Sequence, residues 1–165
     1  MTSASAEPAE SPRWLNAEEM RAWRAFIDGS QRLLEVLNRE VSDAHGLSLA
    51  DYRILVLLSE AESHSMRMSD LAVGIVSSRS RLTHQIRRLE AAGIVLRQEC
   101  ADDRRGVLAT LTAEGHRRLR KAAPTHLAGV RTHLIDLLDV AEQRTIADAF
   151  ERADAALGAD GRGSC

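Results

Sequence analysis

A chain of 165 residues that is 44% hydrophobic but only 3% aromatic can build one domain with long helical extensions, its core drawn from Leu, Ala, Val and Ile. Its longest apolar run, residues 54–58, is far short of the roughly 20 residues that cross a bilayer. The first twelve residues also lack the basic start and apolar stretch of a secretory leader, so a cytoplasmic protein with no membrane partner is expected.

The net charge of −2 argues against a nucleic-acid partner until it is divided along the chain. Residues 64–121 hold twelve Lys and Arg against six Asp and Glu, a surplus of six; the remainder holds ten against eighteen, a deficit of eight. Positive charge is therefore gathered on one central segment, and its distribution says more than its total.

In chain order, residues 1–12 offer nothing to bury and read as a disordered tail. Asn16 and Glu19 form a capping box that starts a long helix. In it Met20, Trp23, Ile27, Ser30, Leu34, Leu37 and Val41 recur at helical spacing up to a stop near Gly46. Ser48 with Asp51 opens a second helix to about residue 62, apolar almost all round and hence central. Residues 61–67 read as a polar loop. Ser69 is expected to cap a short third helix ending near Ile75, and Ser77 or Ser78 a fourth over 79–92, closed by Gly93. Two apolar-polar runs, 94–99 and 107–111, read as a β-hairpin whose tip is residues 102–106. Thr112 caps a helix carrying Leu119, Ala123, Leu127, Val130, Leu134 and Leu137, which Pro124 should bend or break. Asp139 with Glu142 caps the last helix, and residues 158–165 read as a flexible tail.

The expected fold is thus mainly α with a small β-hairpin wing: a winged helix-turn-helix with long N- and C-terminal dimerisation helices. Its parts are a tail (1–12), an N-terminal dimerisation helix (13–47), a DNA-binding module (48–112), C-terminal dimerisation helices (113–157) and a second tail (158–165).

Within 79–92, Leu82, Ile86 and Leu89 share one face, while Ser80, His84 and Arg87, flanked by Arg81, Thr83 and Arg88, occupy the other. A helix fits the major groove of B-DNA and reads it with such donors, Arg pairing with guanine and hydroxyls serving bases or phosphates. Ser78, Ser80, Arg81, Thr83, His84, Arg87 and Arg88 are the candidates. Arg104 and Arg105 at the wing suit the narrow, electronegative minor groove, with Asp103 holding the turn. Each piece alone is commonly a solvated surface; their order and spacing together favour DNA.

The run 101–115, with its Asp103-Arg104-Arg105 turn, a strand, and then Leu111-Thr112 followed by Gly115, resembles the wing signature of MarR-type regulators. Residues 68–72 and 88–95 resemble that family's preceding elements, and the likeness spans about residues 15–157. The resemblance implies a homodimer on a pseudo-palindromic operator, repressing transcription until a small phenolic or aromatic effector, or an oxidant, intervenes. Independently, three terminal helices with apolar faces exceed what one small core can cover, which suits a two-fold partner.

Other features carry less. Cys100 and Cys165 give neither metal spacing nor a disulfide framework, and Cys100 beside the wing is the position an oxidant-responsive alternative would use. His126 and His133, seven apart, are too distant on a helix for paired metal ligands, so no metal or other cofactor is expected. Trp23, Phe26, Tyr52 and His116 could line an effector pocket, although a core role explains the aromatics equally well and ligand residues stay unassigned. A winged-helix protein-interaction module would need an apolar outer face on 79–92. An enzyme would need a nucleophile elbow, phosphate loop or metal spacing, none of which occurs.

Overall fold

The structure, a computed structural model, describes the backbone of residues 12–100 and 103–160 and the side chains of residues 12–99 and 106–158. Most of both expected tails, and residues 101–102 at the wing tip, lie outside the described residues. The chain divides into two compact units, residues 1–32 and 33–165. Helix α1 (Ala17–His45) begins in the first and ends in the second. Its start is the expected capping box, Asn16 N–H donating to Glu19 at 2.8 Å and Glu19 N–H to Asn16 Oδ1 at 2.9 Å. Gly46 then leaves the helix at φ +64°, a conformation that costs glycine nothing.

The second unit is built around α2 (Leu49–Glu60), of which Tyr52, Ile54, Leu55 and Leu58 are buried. The core adds Val41 and Leu47, Leu71 and Ala72 of α3 (Met68–Gly74), Leu82, Ile86 and Leu89 of α4 (Arg79–Ala91), and Ala109, Leu111 and Ala122. Three strands complete the module: β1 (Ser65–Arg67), β2 (Val95–Cys100) and β3 (Asp103–Leu111), all antiparallel in the order β1-β3-β2. Helices α5 (Ala113–His133) and α6 (Val140–Asp160) follow. No described helix is long and apolar enough to cross a membrane.

Several expectations change. Residues 61–67 are not a plain loop: a 3₁₀ turn (Glu62–His64) leads into β1, which pairs Ser65 with Thr110 and Arg67 with Leu108. Three residues are too few to show strand alternation, so only their partner strand reveals them. Ser69 does not cap α3; Arg67 occupies that position without a side-chain capping bond, and the Ser69 hydroxyl donates to Asp70 Oδ1 at 3.0 Å. Helix α2 stops at Glu60, short of 62, and α6 extends through 158–160. Pro124 does not break α5, which runs continuously past it to His133. Leu137 lies beyond that helix in a 3₁₀ turn (Ile135–Leu137), so the expected stripe ends earlier.

Glycine sets two close approaches. A Cβ on Gly115 would stand 2.4 Å from both the Ile94 carbonyl oxygen and Leu111 Cδ1, so α5 can start against the wing base only without one. A Cβ on Gly129 would meet Glu40 Oε2 at 2.4 Å and Leu37 Cδ2 at 2.8 Å, where α5 crosses α1. Gly115→Ala is therefore expected to lower the unfolding free energy by about 1–3 kcal/mol in urea titrations, an overpacking cost. Gly29→Ala, where a Cβ meets nothing, should instead stabilise by about 0.5–1 kcal/mol.

Candidate nucleic-acid interface

Helix α4 begins at Ser78, whose hydroxyl accepts the Arg81 N–H at 3.4 Å, so the second of the two expected serines is the cap. The turn before it is unusual: Val76, β-branched, holds φ +50°, where such residues are strained. Leu82 and Ile86 are fully buried and Leu89 is 3% exposed. That burial fixes the rotation of α4 about its axis. Ser78, Ser80, Arg81, His84 and Arg87 are consequently exposed, while Thr83 is half-buried with its hydroxyl donating to the Arg79 carbonyl at 2.8 Å. Ser78 and Ser80 hydroxyls lie 3.3 Å apart. The side chains of Arg81, His84 and Arg87 make no hydrogen bond or ion pair with the described residues, leaving their donors directed to solvent.

Arg88 differs from the other candidates. One of its η-nitrogens donates to both oxygens of Asp51, at 2.5 and 2.7 Å. Asp51 is 1% exposed and also accepts the Ser48 N–H at 3.2 Å and the Ser48 hydroxyl at 2.6 Å. One carboxylate thereby caps α2 and holds the outer end of α4. Sequence reasoning saw the cap and missed the second bond, which joins residues 37 apart and has no local signature.

The wing also departs from expectation. Residues 103–106 belong to β3 rather than to a loop, so only residues 101–102 separate the strands. Cys100 faces Asp103 and Glu99 faces Val107, placing residues 104–106 as extra length on β3, a bulge in its pairing with β2. The polar, turn-forming composition of 103–106 gave no sign that these residues pair as strand. Asp103, Arg104 and Arg105 thus share one strand end in the backbone; their side chains, and that of Cys100, lie outside the described residues. At the wing base, Arg97 binds Glu90 at 2.6 and 2.9 Å, and this hydrogen bonding holds the Glu90 carboxyl below its ordinary range. Thr112 closes the hairpin, accepting the Gly115 N–H at 3.1 Å and donating to the Gly93 carbonyl at 2.7 Å.

Between α4 and the wing is an open cleft of about 360 Å³ lined by Arg67, Ser69, Arg79 and Arg97, none of which stood among the expected contacts. A separate cavity of about 240 Å³ lies between α1, α2 and α5, bounded by Leu34, Leu37, Tyr52, Arg53, Val56 and His126. The Tyr52 and His126 rings meet at a 45° tilt with centroids 4.6 Å apart, and Arg53 reaches the Gly74 carbonyl at 3.4 Å. Of the four residues considered for a pocket, only Tyr52 lines it; His116 instead meets His64 edge-on at 4.4 Å, and Trp23 pairs with Phe26 at 6.0 Å. His133 bonds Glu40 at 2.7 Å, and no group of three metal-ligating side chains occurs among the described residues.

A model of the MarR family matches residues 47–107, which begins before α2 and ends in the wing. The crystal structure of AbsC, a MarR family transcriptional regulator from Streptomyces coelicolor, superposes with a TM-score of 0.79 at 42% identity, over 93% of this chain and 100% of that one. The chain belongs to the MarR family. A second member, Sco3205 from the same organism, solved in complex with DNA, is 36% identical over 89% of this chain and 92% of its own, with a TM-score of 0.84. Among characterised proteins, the Bacillus subtilis repressor YetL is 26% identical over 88% of this chain and 89% of its own length. These MarR relatives are named as regulators or repressors, not as enzymes.

Two predictions follow from the packing of this MarR module. Asp51→Ala removes a cap and strands Arg88, and should cost about 1–3 kcal/mol in chemical denaturation. Arg88→Ala should cost nearly as much, and the double variant little more than Asp51→Ala alone, as coupled partners require. Burial lowers the His126 pKa below its ordinary 6.5, and its Nδ1 is buried without a hydrogen-bond partner among the described residues. The unfolded chain therefore binds the proton more tightly. This contribution to stability is complete above pH 6.5 and is lost as the pH falls through the depressed folded value. Melting temperatures from pH 7.5 to 5 should show that decline, and His126→Phe should reduce it.

Proposed function

We propose that this MarR protein is a DNA-binding transcriptional repressor acting as a homodimer. Helix α4 lies in the major groove, where Ser78, Ser80, Arg81, Thr83, His84 and Arg87 meet base edges and phosphates, and Arg104 and Arg105 of the wing enter the minor groove. The observation that carries this reading is the unpartnered Arg81, His84 and Arg87 on a helix whose opposite face is fully buried. It is supported by the DNA complex of the 36% identical relative. Arg88, engaged by Asp51, acts as a brace more than as a reader.

The second copy would cover the apolar residues that α5, α6 and their linker leave exposed: Leu127 at 59%, Leu137 at 72%, Val140, Ile146, Phe150 and Leu157. Two-fold symmetry would then present two reading helices to half-sites about 34–36 Å apart. A small aromatic effector fits the cavity beside Tyr52 and His126, where Arg53 can answer an acidic group and also touches the turn that leads to α4.

Mobility shifts with DNA from upstream of the protein's own coding region, at two salt concentrations, test the reading. The wild type should bind selectively and lose affinity as salt rises. Arg87→Ala should cost about 1–3 kcal/mol and relax sequence preference, and Arg105→Ala should weaken binding to a similar degree. Wild-type affinity in both variants would contradict it.

A further inference from the structure

The link from α2 to strand β1 passes through two consecutive residues in a left-handed backbone, Ser63 at φ +54° and His64 at φ +55°. Side chains with a Cβ rarely adopt that conformation, so contacts outside the backbone must hold it. Three do. His64 Nδ1–H donates to the Ser59 carbonyl at 3.0 Å, since a carbonyl oxygen can only accept. The Ser65 hydroxyl, at the start of β1, bonds the Ser63 carbonyl at 3.1 Å and the Thr110 hydroxyl of β3 at 2.8 Å. The third is the His116 ring, which meets that of His64 at 4.4 Å with the planes 80° apart. His116 lies one turn past Thr112, the residue that ties α5 to the hairpin.

We propose that the His64–His116 contact is a proton-operated latch, which keeps the 62–64 turn and β1 on the sheet while at most one ring is charged and releases them when both are. The latch needs no DNA; only its consequence for operator affinity rests on the repressor reading above.

The two rings are not equivalent. His64 is exposed, and a proton entering at its Nε2 leaves the Nδ1–H bond to Ser59 intact. A charged ring edge-on to a neutral one is tolerated, but two imidazolium rings in contact repel. The second proton must enter at His116, which is half-buried. Burial first, then the charges of His64 and Arg120, hold its pKa below the ordinary 6.5. The contact is therefore complete above pH 6.5 and is lost as the pH falls through the depressed folded value.

The surrounding groups offer no relief. On α5, Glu114 is already bound to Arg117 and Arg118, and Arg120 adds a like charge. The facing stretch of β3, residues 106–111, has no titratable side chain. On α2, Asp51 is taken by Arg88 and Tyr52 lies against His126, while Glu60 and Glu62 are exposed and do not act on His116. What the latch holds is slight. Strand β1 has three residues and pairs with β3 alone, so it can open without unfolding the core. Met66, packed against that core, would open with it and loosen the support behind the wing.

The test is amide hydrogen exchange followed by NMR on the full chain without DNA, from pH 7.5 to 5, corrected for intrinsic exchange. Wild-type protection at residues 65–67 should fall about tenfold below pH 6.5, while residues 54–58 keep theirs. His116→Phe keeps a ring that cannot charge and should retain protection at pH 5. Arg120→Gln, at an exposed position, should move the fall to higher pH, because His116 then accepts its proton sooner. A purely structural ring contact would not respond to Arg120, so this variant decides the matter even where His116→Phe folds poorly. Flat wild-type protection overturns the latch, as does an Arg120→Gln midpoint equal to that of the wild type. With the upstream fragment, the affinity of His116→Phe relative to wild type should rise as the pH falls, His84 titrating equally in both. If neither protein binds DNA while exchange behaves as described, the repressor reading fails and the latch stands.

Discussion

Three side chains, Leu82, Ile86 and Leu89, determine which way α4 faces. All are buried at one-turn spacing in the shared core, and any rotation of the helix would expose apolar surface worth about 25 cal/mol per Å². The polar side is therefore outward by exclusion rather than by any attraction of its own. Every functional statement about this chain depends on that orientation, because the same Arg and His side chains turned inward would be unsatisfiable.

Around this packed row the molecule braces α4 from both flanks with charge. On one side the buried Asp51 carboxylate, already the cap of α2, takes Arg88; on the other, Glu90 takes Arg97 from the wing. Both arginines belong to the charge surplus of the central segment, and Arg88 stood among the expected contacts, so that surplus is partly structural. On α4 itself, the side chains of Arg79, Arg81 and Arg87 make no hydrogen bond or ion pair with the described residues, and they lie on two different sides of the helix. A strained turn at Val76 sets the entry to the helix, and such strain is tolerated where tertiary packing overdetermines the backbone.

Much of this was legible from the residues. Period 3.6 on 79–92, the capping pairs at Asn16–Glu19, Ser48–Asp51 and Asp139–Glu142, and the cap at Thr112 all appear in the structure as read. These are local signals, carried within four residues by hydrogen-bonding or by one-faced burial. The misses are non-local or short. Strand β1 exists because β3 offers it a partner, Arg88 is diverted by a carboxylate 37 residues away, and the charged stretch 103–106 pairs as a bulged strand although its composition suggests a turn. The cleft between α4 and the wing likewise joins Arg67, Arg79 and Arg97 from three separate elements, which no spacing rule connects.

The terminal helices carry the other half of the molecule's logic. Their exposed apolar residues would be a liability on a monomer and suit a symmetric partner, which would also set the separation of the two reading helices. The central claim concerns which surface meets the duplex, and amide hydrogen exchange with and without the upstream fragment tests it most directly. The account predicts slowed exchange in peptides covering residues 78–88 and 103–107, with α6 unaffected by DNA. Bound duplex that leaves those peptides unchanged and slows exchange elsewhere would contradict it.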